Sequence, residues 1–303
     1  MNTDTSDIAI EIVEQEEEWE VVENEDSVTS HVERTEETEV VIETEVHSFL
    51  QLSEDRWKEI QLLIDKTVEF TEDGEFYDAL CRSTIVLLVG QLEGYIKELA
   101  KAIITDLNDN VNFSLLPKNI KKNFTSYFLG DGGRYNELSE MFTRFNPDLK
   151  IDPFLYDRNK NPSPSVIDKI MDNFGIESFF SYLYRSKLDT VFENDSSITE
   201  ALINDLKTHI LERTKHFPYN VDLEEFELKK NEIKFTKRNR ELSLWMTFLD
   251  KLLHSRHSVA HGSIFNNELT TDLLREYEKK SKILQYAIAL VLIHNISDGL
   301  QSE

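Results

Sequence analysis

An all-α fold, an antiparallel bundle of long helices, is what this sequence predicts. Two observations carry the prediction. Apolar residues recur at helical spacing over long stretches of the body, and those stretches open and close on helix capping signals. Alternating, strand-like runs are confined to the first 48 residues and to a loose one at 219–236.

Residues 1–48 are Glu- and Thr-rich and carry 17 Asp/Glu against one Arg. The chain of 303 residues has a formal charge of -25, so this segment holds -16 and the body only about -9. Such a composition predicts an acidic low-complexity tail, solvated and mostly disordered. Two sharper readings stay open. The tail could mimic a nucleic-acid backbone and cover a basic groove, or it could form a small hairpin or a partner-docking strand.

Residues 49–300 read as one helical domain with a helical insert at about 108–236. Ser53 opens the first helix, with Glu54 and Asp55 in its first turn and Trp57, Ile60, Leu63, Ile64 and Val68 at helical spacing. After the turn Glu72-Asp73-Gly74, a second helix runs from about Glu75 to Leu107 and is apolar most of the way round near its middle. Its Gly90 and Gly94 permit close approach of another helix, and Cys81 sits among its apolar residues. A short helix follows Pro117, and another spans about Arg134–Phe145. The glycines between them, Gly130 to Gly133, are a turn and not a phosphate loop, since no strand precedes them and no Lys-Ser/Thr follows. Ser163-Pro164 starts a helix that Gly175 ends, and Ile176 to about Leu188 continues as another. Ser197 and Glu200 form a capping box for a helix to about Lys215. Residues 219–236 are a hairpin or an irregular arm. A helix from about Glu241 to Ala260 and a last one from Thr270 or Thr271 to about Ser297 complete the bundle.

With a single cysteine, no intramolecular disulfide is possible, which suits a reducing cytoplasm. No basic-then-apolar leader is present, and the longest apolar runs, Ile85–Val89 and Ala287–Ile293, fall short of the roughly 20 residues that cross a bilayer. The expectation is a soluble cytoplasmic protein without a membrane partner.

Chemistry concentrates in Arg256-His257-Ser258-Val259-Ala260-His261-Gly262. His254, His257 and His261, spaced three and four apart, fall on one helical face, and Arg256 borders it. Three readings remain open from spacing alone. His261 could act as general acid/base while Arg256 clamps a phosphate, because imidazole titrates near neutral pH and guanidinium offers a fixed fork of donors. The histidines could bind zinc, although no Glu follows the first and no Cys is near. Or they could be ordinary satisfied groups. Just upstream, residues 229–240 hold six basic residues against one Glu. There Lys234, Lys237, Arg238 and Arg240 are candidates for RNA phosphate contacts, or a solvated charge run. Lys118, Lys121 and Lys122 read as solvated. Trp245 and the aromatic cluster Phe179, Phe180, Tyr182 and Tyr184 read as core.

The motif resembles the Arg-polar-x(3–5)-His signature of the HEPN superfamily, with His257 as the polar residue. Its Val-Ala-His-Gly ending is similar to that of prokaryotic MAE-type HEPN proteins. Arg82 to Lys97 resembles an early HEPN helix carrying a Glu, here Glu93, then an aromatic and a Lys. The resemblance covers roughly 53–300. It implies a HEPN-like bundle that dimerises into a composite site, no cofactor and no metal, and endoribonuclease activity of the kind common in toxin–antitoxin and phage-defence systems. By that resemblance the substrate's 2′-OH is the nucleophile, His261 moves the proton, Arg256 stabilises phosphate charge and His257 assists. Glu93 and His254 would line the site, and an antitoxin or regulatory partner is implied. Ser263 stands where adenylylated HEPN toxins carry Tyr, so that form of control is not expected. A non-catalytic HEPN module binding RNA, nucleotide or protein is the alternative.

Overall fold

The computed structural model describes residues 43–129, 133–155, 161–193, 195–236, 238–260 and 269–302. Among them there are helices and no strand. α1 (Glu45–Glu69) and α2 (Gly74–Asn110) form a hairpin. α3 (Lys118–Leu129), α4 (Tyr135–Phe145), α5 (Pro164–Asn173), the one-turn α6 (Phe180–Leu183) and α7 (Ser196–Arg213) follow. α8 (Leu244–Ala260) and α9 (Thr271–Gln301) close the order.

The core is α1, α2 and α9, and polar pairs fix its register. Trp57 Nε1 donates to Gln285 Oε1 at 2.8 Å, Gln61 Nε2 to Glu278 Oε1 at 3.1 Å, and the Thr67 and Thr271 hydroxyls meet at 2.7 Å. Residue numbers rise on α1 as they fall on α9, so these two helices are antiparallel. The Thr271 N–H donates to the Tyr77 hydroxyl at 3.0 Å, and Gln285 Nε2 to the Gln91 carbonyl at 3.5 Å. α9 therefore runs parallel to α2. Its residues Ile283 to Ile293 are buried without interruption, as the apolar pattern predicts. By length and composition α2 and α9 are each apolar enough to cross a membrane, which the short continuous runs did not suggest. Averaging over 18 residues absorbs single polar positions, and 50% and 72% of those windows are buried inside the bundle.

α1 starts at Glu45, earlier than the expected Ser53, whose hydroxyl instead donates within the helix to the Leu50 carbonyl at 2.9 Å. The reason is a cap supplied from a distance. The Asp106 carboxylate, at the far end of α2, accepts from the backbone N–H of Glu45 at 2.8 Å and of Val46 at 3.0 Å, and from the Tyr219 hydroxyl at 2.7 Å. Thr44 adds a side-chain cap to His47 N–H at 3.0 Å and donates to the Thr214 carbonyl at 2.6 Å. Hydrogen bonds to a charged group contribute about 1.5–3 kcal/mol each. A buried carboxylate at a helix N-terminus also meets the positive end of the helix dipole.

Three further expectations change. Ile176 to Leu188 is not a continuous helix, because Ser178 and Arg185 adopt φ of 57° and 59° and break the path, leaving α6 and a 3-10 turn at Lys187–Glu193. Ser197 is not the cap of α7; the Asp195 carboxylate accepts from Ser197 N–H at 2.9 Å and Ile198 N–H at 3.2 Å, while Glu200 pairs with Lys279 at 2.9 Å. At Gly90 an added Cβ would meet nothing within 4 Å, and at Gly94 only the Arg56 guanidinium at 3.7 Å, so no helix backbone closes on either. Gly175 is different. At φ 95° a Cβ would sit 2.5–3.0 Å from the Asn119 side chain, so the end of α5 requires glycine there. Residues 219–236 are irregular, with one 3-10 turn at Glu224–Phe226. The Gly130–Gly132 part of the expected turn and most of the acidic tail lie outside the described residues.

Candidate functional site

α8 is held rigidly from its first turn. Ser243 precedes it and caps it, its Oγ accepting from Met246 N–H at 3.3 Å. Trp245 Nε1 donates to Asp189 Oδ1 at 2.9 Å, its ring meets Phe192 edge-on at 5.0 Å, and Phe248 reaches Tyr277 of α9 at 5.9 Å. Trp245, Phe248, Leu249 and Leu252 are buried, as are Phe179, Phe180 and Cys81, in accord with the core readings, whereas Tyr182 and Tyr184 are only half-buried. This buried side of α8 packs on α2, α5 and α6.

The motif residues emerge from the last turns of this anchored helix. One residue advances the helix by about 100°, so Arg256 lies roughly in line with Trp245, Leu249 and Leu252, and His254 and His257 lie on the other side. The burial pattern agrees: Arg256 is half-buried, His254 and His257 are exposed. Arg256 thus borders the histidine face from the core side. Among the described residues, neither Arg256 nor His254 makes an ion pair. His261 and Lys237 lie outside the described residues, as does Gly262.

Glu93 is placed elsewhere. It accepts from Lys97 Nζ at 2.6 Å, a half-exposed pair one turn apart on α2. Ser255 meets the Tyr277 hydroxyl at 3.5 Å, and α9 runs level with α2, so Glu93 stands roughly 15 Å further along the bundle than Arg256. Within one chain it does not join the motif.

The basic segment leads into α8 through a turn organised by Asn239. Its Oδ1 accepts from the Thr236 N–H at 2.6 Å and hydroxyl at 3.0 Å, and its Nδ2 donates to the Lys234 carbonyl at 3.0 Å. Lys234 and Arg238 are exposed there. Arg240 is not simply solvated. It forms an ion pair with Asp250 of α8, and its Nε is buried with no partner. Arg240, Glu241, Thr247, Asp250, Lys251 and His254 line an open cleft of about 540 Å³ against the outer face of α8. Burial pushes the Asp250 carboxyl up, while Arg240 pulls it down. Asp168 of α5 lies within the influence of Arg240. Burial raises its carboxyl to about 6, against N–H bonds from Phe180 and Phe179, and its Oδ1 is buried without a partner.

Sequence reading missed Asp250 and the cleft. The signal was present, because Thr247, Asp250 and His254 follow i, i+3, i+7 and share a face. Chemically the arrangement offers a guanidinium at the core edge of a helix end, exposed imidazoles beside it, and a second guanidinium two turns back. Such a surface can bind phosphate oxygens. Among the described residues no three His, Cys, Asp or Glu side chains converge as metal ligands.

Comparison with known proteins gives one family. A family model described as RiboL-PSP-HEPN matches residues 52–294. No curated protein and no solved structure matches the chain.

Proposed function

We propose that this chain, which belongs to the RiboL-PSP-HEPN family, is a metal-independent endoribonuclease. HEPN domains generally bind RNA and often dimerise. The observation that carries the reading is the position of Arg256 and His257 at the end of a core-anchored helix, with His261 next in sequence, inside the matched region.

The reaction is a transesterification. The 2′-oxygen of one nucleotide attacks the adjacent phosphorus, and the bond from phosphorus to the 5′-oxygen breaks. His261 accepts the 2′-OH proton and a proton returns to the leaving 5′-oxygen, giving a 2′,3′-cyclic phosphate and a 5′-OH end. Arg256 stabilises the extra negative charge on the phosphate oxygens in the transition state, where a fixed donor fork is most effective. His257 orients or assists. Two copies would bring their α8 ends together into a composite site. A cytoplasmic role in a toxin–antitoxin or phage-defence system, under an antitoxin or regulatory partner, fits such an activity.

Purified protein incubated with RNA in EDTA is expected to leave cyclic phosphate ends, with His261→Ala and Arg256→Ala each 10²–10⁴-fold slower. Undiminished cleavage by either variant, or dependence on added zinc, overturns the mechanism. RNA that is bound and never cut identifies a binding module of the same family.

A further inference from the structure

The cleft beside α8 is separate from Arg256 and carries its own anion chemistry. We infer that it is a phosphate subsite for single-stranded RNA, closed in the free protein by Asp250, which occupies the Arg240 guanidinium until a phosphate displaces it. The inference rests on the RNA reading above and adds where the strand lies.

Four observations support it. Arg240 meets Asp250 through one terminal nitrogen only, so the pair is not a closed bidentate fork. A guanidinium fork takes carboxylate and phosphate in the same bidentate geometry, so one can replace the other. The open cleft, at about 540 Å³, leaves room beside the ion pair for a phosphate group. Asp250 is exposed, and an ion pair open to solvent is weak, so a phosphate can compete for Arg240. Lys251, the Thr247 hydroxyl and His254 complete the lining.

Position connects the cleft to the motif. Thr247, Asp250, His254 and His257 share the outward face of α8 over roughly 15 Å of helix. A strand following that face would place one phosphate at Arg240 and a later one at the motif. The turn held by Asn239 brings exposed Arg238 and Lys234 to the same end.

The test uses full-length protein carrying His261→Ala, so that RNA is bound and not cut. A labelled single-stranded RNA is titrated over a series of salt concentrations. Adding Arg240→Gln is expected to weaken binding several-fold for every sequence and to flatten the log affinity against log salt slope by about 0.7. Adding Asp250→Asn is expected to strengthen binding, and the double substitution to match Arg240→Gln alone. Unchanged affinity and slope in Arg240→Gln overturn the subsite. So does an Asp250→Asn chain that binds no better, or no RNA binding at low salt. If Arg240→Gln melts early, Lys251→Gln on the outer face repeats the measurement, with the same two outcomes deciding. Cleavage by the wild-type chain is scored separately. Cleavage with an indifferent Arg240 loses only the subsite; Arg240-dependent binding without cleavage loses only the ribonuclease.

Discussion

The Asp106 end of the bundle and the outer face of α8 both gather charged groups, and they use them in opposite ways. Around Asp106 the carboxylate is consumed by two helix N–H groups and a tyrosine hydroxyl, all inside the fold. On α8, Arg256 and His254 have no ion-pair partner among the described residues, and just before it Arg240 is held by one exposed carboxylate, Asp250. The first region turns charge into stability. The second keeps charge available to something outside the chain, at the end of a helix whose other side is fully packed. Charge alone therefore does not mark a site; charge left over after the fold has satisfied its own polar groups does.

The largest expected effect tests the first region. Asp106→Ala strips three hydrogen bonds and leaves buried donors unpaired, at about 3–5 kcal/mol of unfolding free energy. Chemical denaturation would measure it, and a loss under about 1 kcal/mol would show the network to be dispensable. The RNA cleaved per folded molecule should be unaltered. The reverse holds for Arg256→Ala: a loss of cleavage of 10²-fold or more with an unchanged melting temperature. A variant that loses both together would erase the distinction between the two regions.

A pH experiment sharpens it further. Asp168 is raised to about 6 in the fold from its usual 3.8, chiefly by burial. The folded state therefore holds its proton more tightly than the unfolded one, and stability falls as pH rises from about 4 to about 6. The cost, on the order of 3 kcal/mol, is complete above that window. Asp168→Asn is expected to melt above wild type near pH 7.5, with the difference vanishing near pH 4. An equal difference at both pH values would remove the buried charge as the cause. The smallest effect belongs to Glu93. Glu93→Gln loosens a half-exposed pair with Lys97, at about 0.3–0.5 kcal/mol, and should leave cleavage unchanged. A large loss of cleavage would return Glu93 to the site, across the dimer.

The helices were legible because their apolar faces repeat at their own period, and α3, α5, α8 and α9 begin within a few residues of the expected starts. What was not legible came from outside the local window. No residue near Glu45 announces that Asp106 will cap it. Asp195 captured the N-terminus of α7 while Lys279 drew Glu200 away from the capping box. The left-handed backbone at Ser178 and Arg185 falls on residues that carry no such signal. The motif was found as a cluster, and the HEPN superfamily it suggested is the right one, although the family that matches is RiboL-PSP-HEPN and not the MAE type its Val-Ala-His-Gly ending resembled. The seven-residue step from Leu249 to Arg256 was already enough to place Arg256 on the buried side of the histidine face.

The Asp106 cap also has a kinetic meaning. It joins positions 61 and 113 residues distant in the chain, so it can form only after the α1–α2 hairpin and the segment around Tyr219 have both arrived. We expect it to complete late, after the folding transition state, because two loop closures must precede it. Weakening the cap should then leave the refolding rate nearly as it is and shorten the lifetime of the folded chain. The beginning of α1 would be the last part of the bundle to close and the first to open.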